Sequence, residues 1–278
     1  KGDYKLKKYI LYYFLFINII FNQKIIIPMD QTQNDHLKAY GLIYSALKKQ
    51  IRVEWLLNYK SGSFIMDSSN IIAKEALVRG ITYYNINSSE INSIYETINN
   101  NNMDIVLLEK APKIAVYSPD DKQPWDDAVT LALTYAEIEY DIIFDHEVLT
   151  GELSKYDWLH LHHEDFTGQY GKFYKSYRNT SWYRKLENDF NKCASDHGYA
   201  SVHKLKKGVA LKIKEYVLNG GFMFAMCSAT DSFDIALAAH NVDIASSVFD
   251  GTPIDKDYKN KLNFNNSFAF ENYSLYTD

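Results

Sequence analysis

From Lys24 onward, short apolar runs alternate with stretches in which apolar residues recur every three or four positions. That alternation is the signature of buried strands packed between amphipathic helices. Lys24–Met29 (KIIIPM) predicts a buried strand, and Asp35–Lys49 a helix carrying Leu37, Tyr40, Gly41, Tyr44 and Leu47 at helical spacing. Val53–Leu57 reads as the next strand and Ser69–Arg79 as a helix, with Ser69 or Asn70 as N-cap and Gly80 as its stop. Ile81–Ile86 and Ile105–Leu108 follow as strands, separated by a helix over Ser89–Ile98 and a polar loop over Asn99–Asn102.

The pattern then restarts. Lys113–Tyr117 (KIAVY) reads as a strand, Trp125–Glu137 as a helix and Tyr140–Phe144 as a strand. Laid against the start, Lys24 matches Lys113, Ile25 matches Ile114 and Ala39 matches Ala128, a weak internal repeat of the kind two adjacent strand–helix–strand units share. Asp157–His162 (DWLHLH) is a further strand, Glu164–Tyr199 a long polar and aromatic insertion, and Leu205–Leu218 a helix ended by Asn219-Gly220-Gly221. Phe222–Met226 reads as a strand and Thr230–Ala239 as the helix after it; from Phe249 the chain turns loop-like, then strand-like over Leu262–Tyr273. The expectation is an α/β fold with a parallel, doubly wound, flavodoxin-like sheet in two Rossmann-like halves, residues 23–110 and 111–248, followed by the start of another element over 249–278.

The 278 residues suffice for one large domain or two small ones. A net charge of -5 without a basic stripe argues against nucleic acid as a partner. Two cysteines, Cys193 and Cys227, are too few for a disulfide framework and match no zinc spacing. Ahead of the first strand, Lys5, Lys7 and Lys8 precede the apolar run Tyr9–Phe21, broken only by Asn18. A basic start followed by an apolar stretch of ~7–15 residues is the layout of a signal peptide, whereas a spanning helix needs roughly 20. Residues 1–22 therefore predict export to the periplasm or cell envelope, with no integral membrane span after cleavage.

Ligands of an open parallel sheet bind beyond the carboxyl ends of its strands. Polar groups crowd those ends here: Asp30; Ser118, Asp120 and Asp121; Asp145 and His146; His162, His163, Glu164 and Asp165; Cys227, Ser228 and Thr230. Cys227 stands between an apolar strand and a helix, with Ala225 and Ala229 two positions to either side, the layout of a nucleophile elbow. A thiol there sits at a helix N-terminus, whose dipole favours the thiolate. The alternative is a small hydrophobe packed at a strand end. Trp158–Phe166 (WLHLHHEDF) offers a base: strand alternation puts His160 and His162 on one face and His163 on the other, and Glu164 or Asp165 would orient an imidazole. A metal reading, with Asp145 or His146 completing a ligand set, finds no H-x-x-x-H spacing to support it, and no metal or other cofactor is expected. Ser228–Ser232 (SATDS) resembles the S-G-G-x-D-S pyrophosphate loop of ATP-dependent amidotransferases but is one residue short and has neither glycine. Asp231 and Asp234 read instead as first-turn acids complementing the helix dipole.

Lys24–Tyr59, Lys113–Tyr135, Trp158–Phe173 and Gly220–Ala239 resemble a family of exported bacterial proteins commonly labelled asparagine synthetase B. The resemblance covers nearly all of the chain and implies a class I glutamine amidotransferase-like, flavodoxin-type fold. In class I amidotransferases the nucleophile lies in G-x-C-x-G and an H-x-E follows; here alanines flank Cys227, and His240 is the only later histidine. Three readings stay open. The first is an exported cysteine-dependent hydrolase or amidase with Cys227 as nucleophile, His162 or His163 as base and Glu164 as orienter. The second is a non-catalytic protein of the same fold, binding a small molecule or glycan among Asp120, Asp121, Asp145, His146, Asp165, Ser228 and Thr230. The third is the glutamine-hydrolysing synthetase that the label names. Thr167–Tyr183, rich in Tyr, Trp, Arg and Lys, reads as a lid or as a packed surface loop.

Overall fold

A chain that alternates strand and helix from Lys24 onward builds two sheets of different kinds. The computed structural model describes residues 23–119, 128–168 and 174–277. It divides into two compact units, one formed by the residues up to Ala111 with Ala132–Ile138, the other by Pro112–Leu131 with Glu139–Asp278. Residues 1–22, on which the export expectation rests, and Asp120 and Asp121 lie outside the described residues.

In the first unit, β1 (Lys24–Ile27), β2 (Val53–Leu57), β3 (Phe64–Asp67), β4 (Tyr84–Ile86) and β5 (Asp104–Leu108) form one sheet in the order β4-β1-β3-β2-β5. Every neighbouring pair is antiparallel, which corrects the parallel half expected here. The cause is a hairpin. After β2, Asn58, Lys60, Ser61 and Gly62 all take positive φ, and the chain doubles back at once as β3. A short return makes neighbours antiparallel, whereas a parallel neighbour needs a crossover of about a dozen residues or more. Helices α1 (His36–Lys48), α2 (Asn70–Val78) and α3 (Ser88–Asn99) begin where Asp35, Ser69 and Asn87 accept backbone N–H groups of their first turns. Ala39, Leu42 and Ala46 of α1 share one apolar cluster with Ile25, Ile27, Val53 and Met66, while Ile91, Ile94 and Ile98 of α3 share another with Ile26, Leu56 and Ile65. Alternate residues of one strand thus feed opposite faces, as a pleated strand requires. Gly41 of α1 must lack a side chain, since a Cβ there would lie 1.7 Å from the Ala136 carbonyl oxygen.

The second unit is the parallel one. β6 (Ile114–Tyr117), β7 (Asp141–Ile143), β8 (Trp158–Leu161) and β9 (Phe222–Ala225) pair in the order β7-β6-β8-β9, every pair parallel. With them in this unit come α5 (Asp145–Leu149), α6 (Tyr174–Tyr177), α7 (Ser181–Asp196), α8 (Val202–Leu218) and α9 (Ser228–Ala238), whereas α4 (Ala128–Ala136) is divided, Ala128–Leu131 belonging here and the rest to the first unit. Val209, Ala210 and Ile213 of α8 and Phe233, Ala236 and Leu237 of α9 are buried with Ala115, Leu159 and Leu161 of the sheet. The segment read as a polar and aromatic insertion contains α7, capped by Thr180, whose side chain accepts the Tyr183 N–H. Its few apolar anchors, Tyr183 and Ala194, are buried with Val202 and Leu205. The strand expected over Leu262–Tyr273 is not formed; Phe264–Asn266 is a single 3-10 turn. Asp234, buried inside α9, accepts the backbone N–H groups of Phe268, Ala269 and Phe270 at 2.8, 2.7 and 2.8 Å. Those donors are committed to a carboxylate rather than to a ladder. The same bonds correct the reading of Asp234 as a first-turn acid. Among the described residues no helix is long and apolar enough to cross a membrane.

Beyond β7, Asp145 takes a structural position rather than the ligand-facing one expected of it. Its carboxylate and the Lys206 ammonium are both almost fully buried, with Nζ 2.8 Å from each carboxylate oxygen. The Tyr117 hydroxyl donates to Asp145 at 2.5 Å and accepts from Lys206 at 3.0 Å. The Phe144 and Phe190 rings stand 4.2 and 4.5 Å from the ammonium. Burial first, and then the carboxylate beside it, push the Tyr117 hydroxyl well above the usual phenol range. Removing one member of such a pair strands the other charge. Lys206→Met is therefore expected to lower the unfolding free energy of this unit by about 3–5 kcal/mol, and Tyr117→Phe by about 1 kcal/mol. Urea titrations of the two variants that show equal, small losses would remove the pair from the centre of the fold.

Candidate functional site

Leu161 at the end of β8 pairs with Ala225 at the end of β9, so the segments that follow both strands start side by side. They are then stitched together. The Met226 N–H donates to the Leu161 carbonyl at 3.0 Å and the Ala229 N–H to that of His162 at 3.1 Å. The hydroxyls of Ser228 and Ser232 donate to the carbonyls of His163 and Glu164 at 3.0 and 2.9 Å. Within that lattice Cys227 is the N-cap of α9, at φ 54 and ψ -138. A residue with a side chain seldom adopts such a conformation, and one that does stores strain. The turn leaves the thiol exposed.

The ligating atoms of His162, His163 and Cys227 all lie within 4.8 Å of one another. The two imidazole rings are stacked, with centroids 3.6 Å apart and planes at 30°. This corrects the expected placement of His163 on the far face: β8 ends at Leu161, so strand alternation no longer governs the two residues after it. His160, still inside the strand, is buried and stacks on Phe224 at 5.7 Å. Glu164 shapes the loop, its Oε2 accepting the His162 backbone N–H at 3.1 Å. Asp165 accepts both the N–H and the hydroxyl of Thr167, at 2.7 and 2.5 Å. Thr230 donates its hydroxyl to the Cys227 carbonyl at 2.6 Å and so closes the turn from within.

The structure takes other expected residues elsewhere. Asp145 is committed to Lys206, and His146 Nδ1 faces His197 Nε2 at 3.0 Å. Neither completes a metal set with the histidines after β8. A cysteine and two imidazoles would by themselves offer zinc three ligands, as open zinc sites require. Asp30 belongs to the first unit and accepts from Thr32. A second cluster escaped the sequence altogether. His203 Nδ1 lies 2.7 Å from Asp250 Oδ2 and Nε2 lies 3.8 Å from Asp243 Oδ2, and burial outweighs both carboxylates to lower the His203 pKa. Its members are scattered along the chain with no motif spacing, so only folding could assemble them.

Clefts open toward both ends of this sheet. The larger, about 540 Å³, is lined by Tyr156, Asp157, Lys212, Glu215 and Tyr216 at the amino ends of β8 and β9, and Lys212 there is paired with Glu215. The smaller, about 240 Å³, is lined by Asp165, Thr167, Ser228, Asp231, Ser232 and Ile244 at the carboxyl ends. Parallel sheets bind ligands at the carboxyl ends; the smaller cleft opens there, with Cys227, His162 and His163 outside its lining. No family model, curated protein or solved structure matches this chain. The chemistry therefore has to be argued from the geometry.

If the Cys227 turn is strained, glycine should relieve it. Strain at such a position is worth about 1–3 kcal/mol, and glycine gives back up to about 1 kcal/mol through the freedom of the unfolded chain. Cys227→Gly is thus expected to be more stable than Cys227→Ala by about 1 kcal/mol in denaturant titrations. Equal stabilities would show an unstrained turn.

Proposed function

We propose that the second unit is a cysteine-dependent amidase or related acyl hydrolase, with Cys227 as nucleophile and His162 or His163 as base. The observation that carries this reading is a strained turn holding an exposed thiol within 4.8 Å of two imidazoles. Strain of this kind persists only where surrounding structure over-determines it, and it clusters at reactive sites. In the reaction the imidazole takes the thiol proton and sulfur attacks the substrate carbonyl carbon, the carbonyl π pair moving onto oxygen. The oxyanion faces the positive end of α9, where the Ser228 backbone N–H is the donor assigned to it. The imidazolium then protonates the leaving amine, the C–N bond breaks, and a thioester remains. Water attacks the thioester as the same imidazole takes its proton; the acid leaves, and the thiol is restored. Glu164 is a positioning residue in this scheme, acting through the His162 backbone.

The β7-β6-β8-β9 order, with the cysteine two residues past the last strand, supports a flavodoxin-type, class I glutamine amidotransferase-like architecture for this unit. That agrees with what the resemblance to the exported family implies. The composition of residues 1–22 supports export of the chain. The synthetase activity in the family's label has less support, because the pyrophosphate loop lacks its glycines.

Alkylation of the native protein tests the thiol. Cys193 is the internal control, because burial pushes its thiol up to about 11, leaving roughly one molecule in 10⁴ ionised at pH 7. With iodoacetamide at pH 6.5, Cys227 is expected to react about tenfold faster in the folded chain than in the urea-unfolded chain, whereas Cys193 reacts more slowly when folded. Replacing His162 and His163 by alanine should abolish the gain at Cys227. A folded Cys227 no faster than the unfolded one sinks the hydrolase and leaves the binding protein. One equivalent of tightly held zinc that shields Cys227 would replace the nucleophile with a metal centre.

A further inference from the structure

His203 lies in the first turn of α8, and Asp243 and Asp250 lie in the segment after α9, so folding gathers three ligand-type side chains from two places. One ligand atom of each lies within 4.8 Å of the other two. Each aspartate is held by one oxygen and turns the other toward the ring. Oδ1 of Asp243 accepts the Ala245 N–H at 3.0 Å, and Oδ1 of Asp250 accepts the Thr252 N–H at 2.9 Å. Oδ2 of Asp243 accepts the Thr252 hydroxyl at 3.0 Å and stands 3.8 Å from His203 Nε2, beyond hydrogen-bond reach. Oδ2 of Asp250 is different. Its side chain is only 3% exposed, and no donor meets that oxygen in hydrogen-bond geometry.

His203 Nδ1 is 2.7 Å from that oxygen but out of line for a hydrogen bond, and the Ser201 hydroxyl stands 2.9 Å from the same nitrogen. Burial lowers the His203 pKa, so at pH 7 the ring is neutral and brings the carboxylate no charge. The Lys207 ammonium donates to the Val242 carbonyl instead. Buried charges are found paired or bound to metal, because an isolated one is too costly to desolvate. We infer that His203, Asp243 and Asp250 hold a divalent transition-metal ion, with zinc the best fit, independently of the chemistry at Cys227. Zinc takes imidazole nitrogen and carboxylate oxygen at about 2.0–2.2 Å, so ligands sharing one ion stand roughly 3–3.5 Å apart. The separations of 2.7 and 3.8 Å bracket that span. A neutral imidazole in the set selects against calcium and magnesium, which prefer oxygen alone. Three protein ligands leave a fourth position to water. The bound ion fastens the first turn of α8 to the segment after α9 and neutralises the buried Asp250 oxygen.

Calorimetric titration of zinc into the chelator-treated full chain tests the site. The cluster of His162, His163 and Cys227 also offers ligands, so Cys227→Ser is titrated alongside. Both chains are expected to bind an equivalent of zinc that leaves Cys227 of the unsubstituted chain open to iodoacetamide and raises the unfolding midpoint. Asp250→Asn and Asp243→Asn, which keep the shape of the side chain, should each weaken that binding by at least about 100-fold and cancel the rise. Calcium and magnesium should bind at least about 100-fold more weakly than zinc. Should Asp250→Asn fail to fold, the more exposed Asp243 carries the test alone. Cobalt(II) reports on the unsubstituted chain without any variant, because an ion held here shows no thiolate charge-transfer band. Absence of zinc binding by Cys227→Ser, or binding that both aspartate changes leave intact, overturns the site. So does calcium binding as tight as that of zinc, or a thiolate band that accounts for all the bound cobalt.

Discussion

The second unit turns on four hydrogen bonds between the chain after β8 and the chain after β9. They hold Leu161, His162, His163 and Glu164 by their carbonyls against Met226, Ala229, Ser228 and Ser232. Two of the donors are serine hydroxyls, so the lattice depends on side chains as well as on backbone. Each such bond is worth only about 1 kcal/mol net, but together they match the cost of about 1–3 kcal/mol for holding Cys227 in a conformation it would not otherwise keep. That balance explains why both imidazoles reach the thiol. Loops free to relax would relieve the turn and separate the three groups.

The lattice needs rigid walls, and the buried Asp145–Lys206–Tyr117 group supplies one. It links the end of β6, the first residue of α5 and the second turn of α8 in a space lined by aromatic rings. A buried pair of this kind is a poor source of net stability, because desolvation offsets most of the attraction. Its consequence is registry: only one arrangement of strand ends and helix satisfies all three polar groups. On α8, one residue further along, Lys207 is also buried, its pKa lowered by burial to about 8, and its ammonium donates to the Val242 carbonyl. The helix thereby binds polar partners toward the strand ends with one residue and toward the segment after α9 with the next.

The two units show how one apolar rhythm yields two architectures. Apolar runs such as KIII and IAVY are equally buried in the antiparallel and the parallel sheet. What separates them is the connection. Asn58–Gly62 reverses the chain within a few residues, whereas β8 and β9 are joined across α6, α7 and α8. A close return forces an antiparallel neighbour and a helical crossover permits a parallel one. The hairpin residues, NYKSG, carry turn chemistry that marks them once the structure is known. Run together with the neighbouring apolar residues, they pass for the start of a crossover.

Much of the local structure was legible in the residues. Capping by Ser69, the stop at Gly80, the strands Val53–Leu57 and Ile114–Tyr117, and the strand–cysteine–helix order at Cys227 all follow from short-range rules that act within about one turn. The crowding of histidines and acids after Leu161 was likewise plain in sequence. Tertiary structure alone decided which polar groups meet. It drew Asp145 into a buried pair with Lys206, turned Asp234 toward the backbone of Phe268–Phe270, assembled His203 with Asp243 and Asp250, and brought His163 beside His162. The physical reason is range. Periodicity and capping are set by neighbours along the chain, whereas a polar side chain's partner is chosen by desolvation and hydrogen-bond geometry among residues that only the packed fold brings within 3 Å.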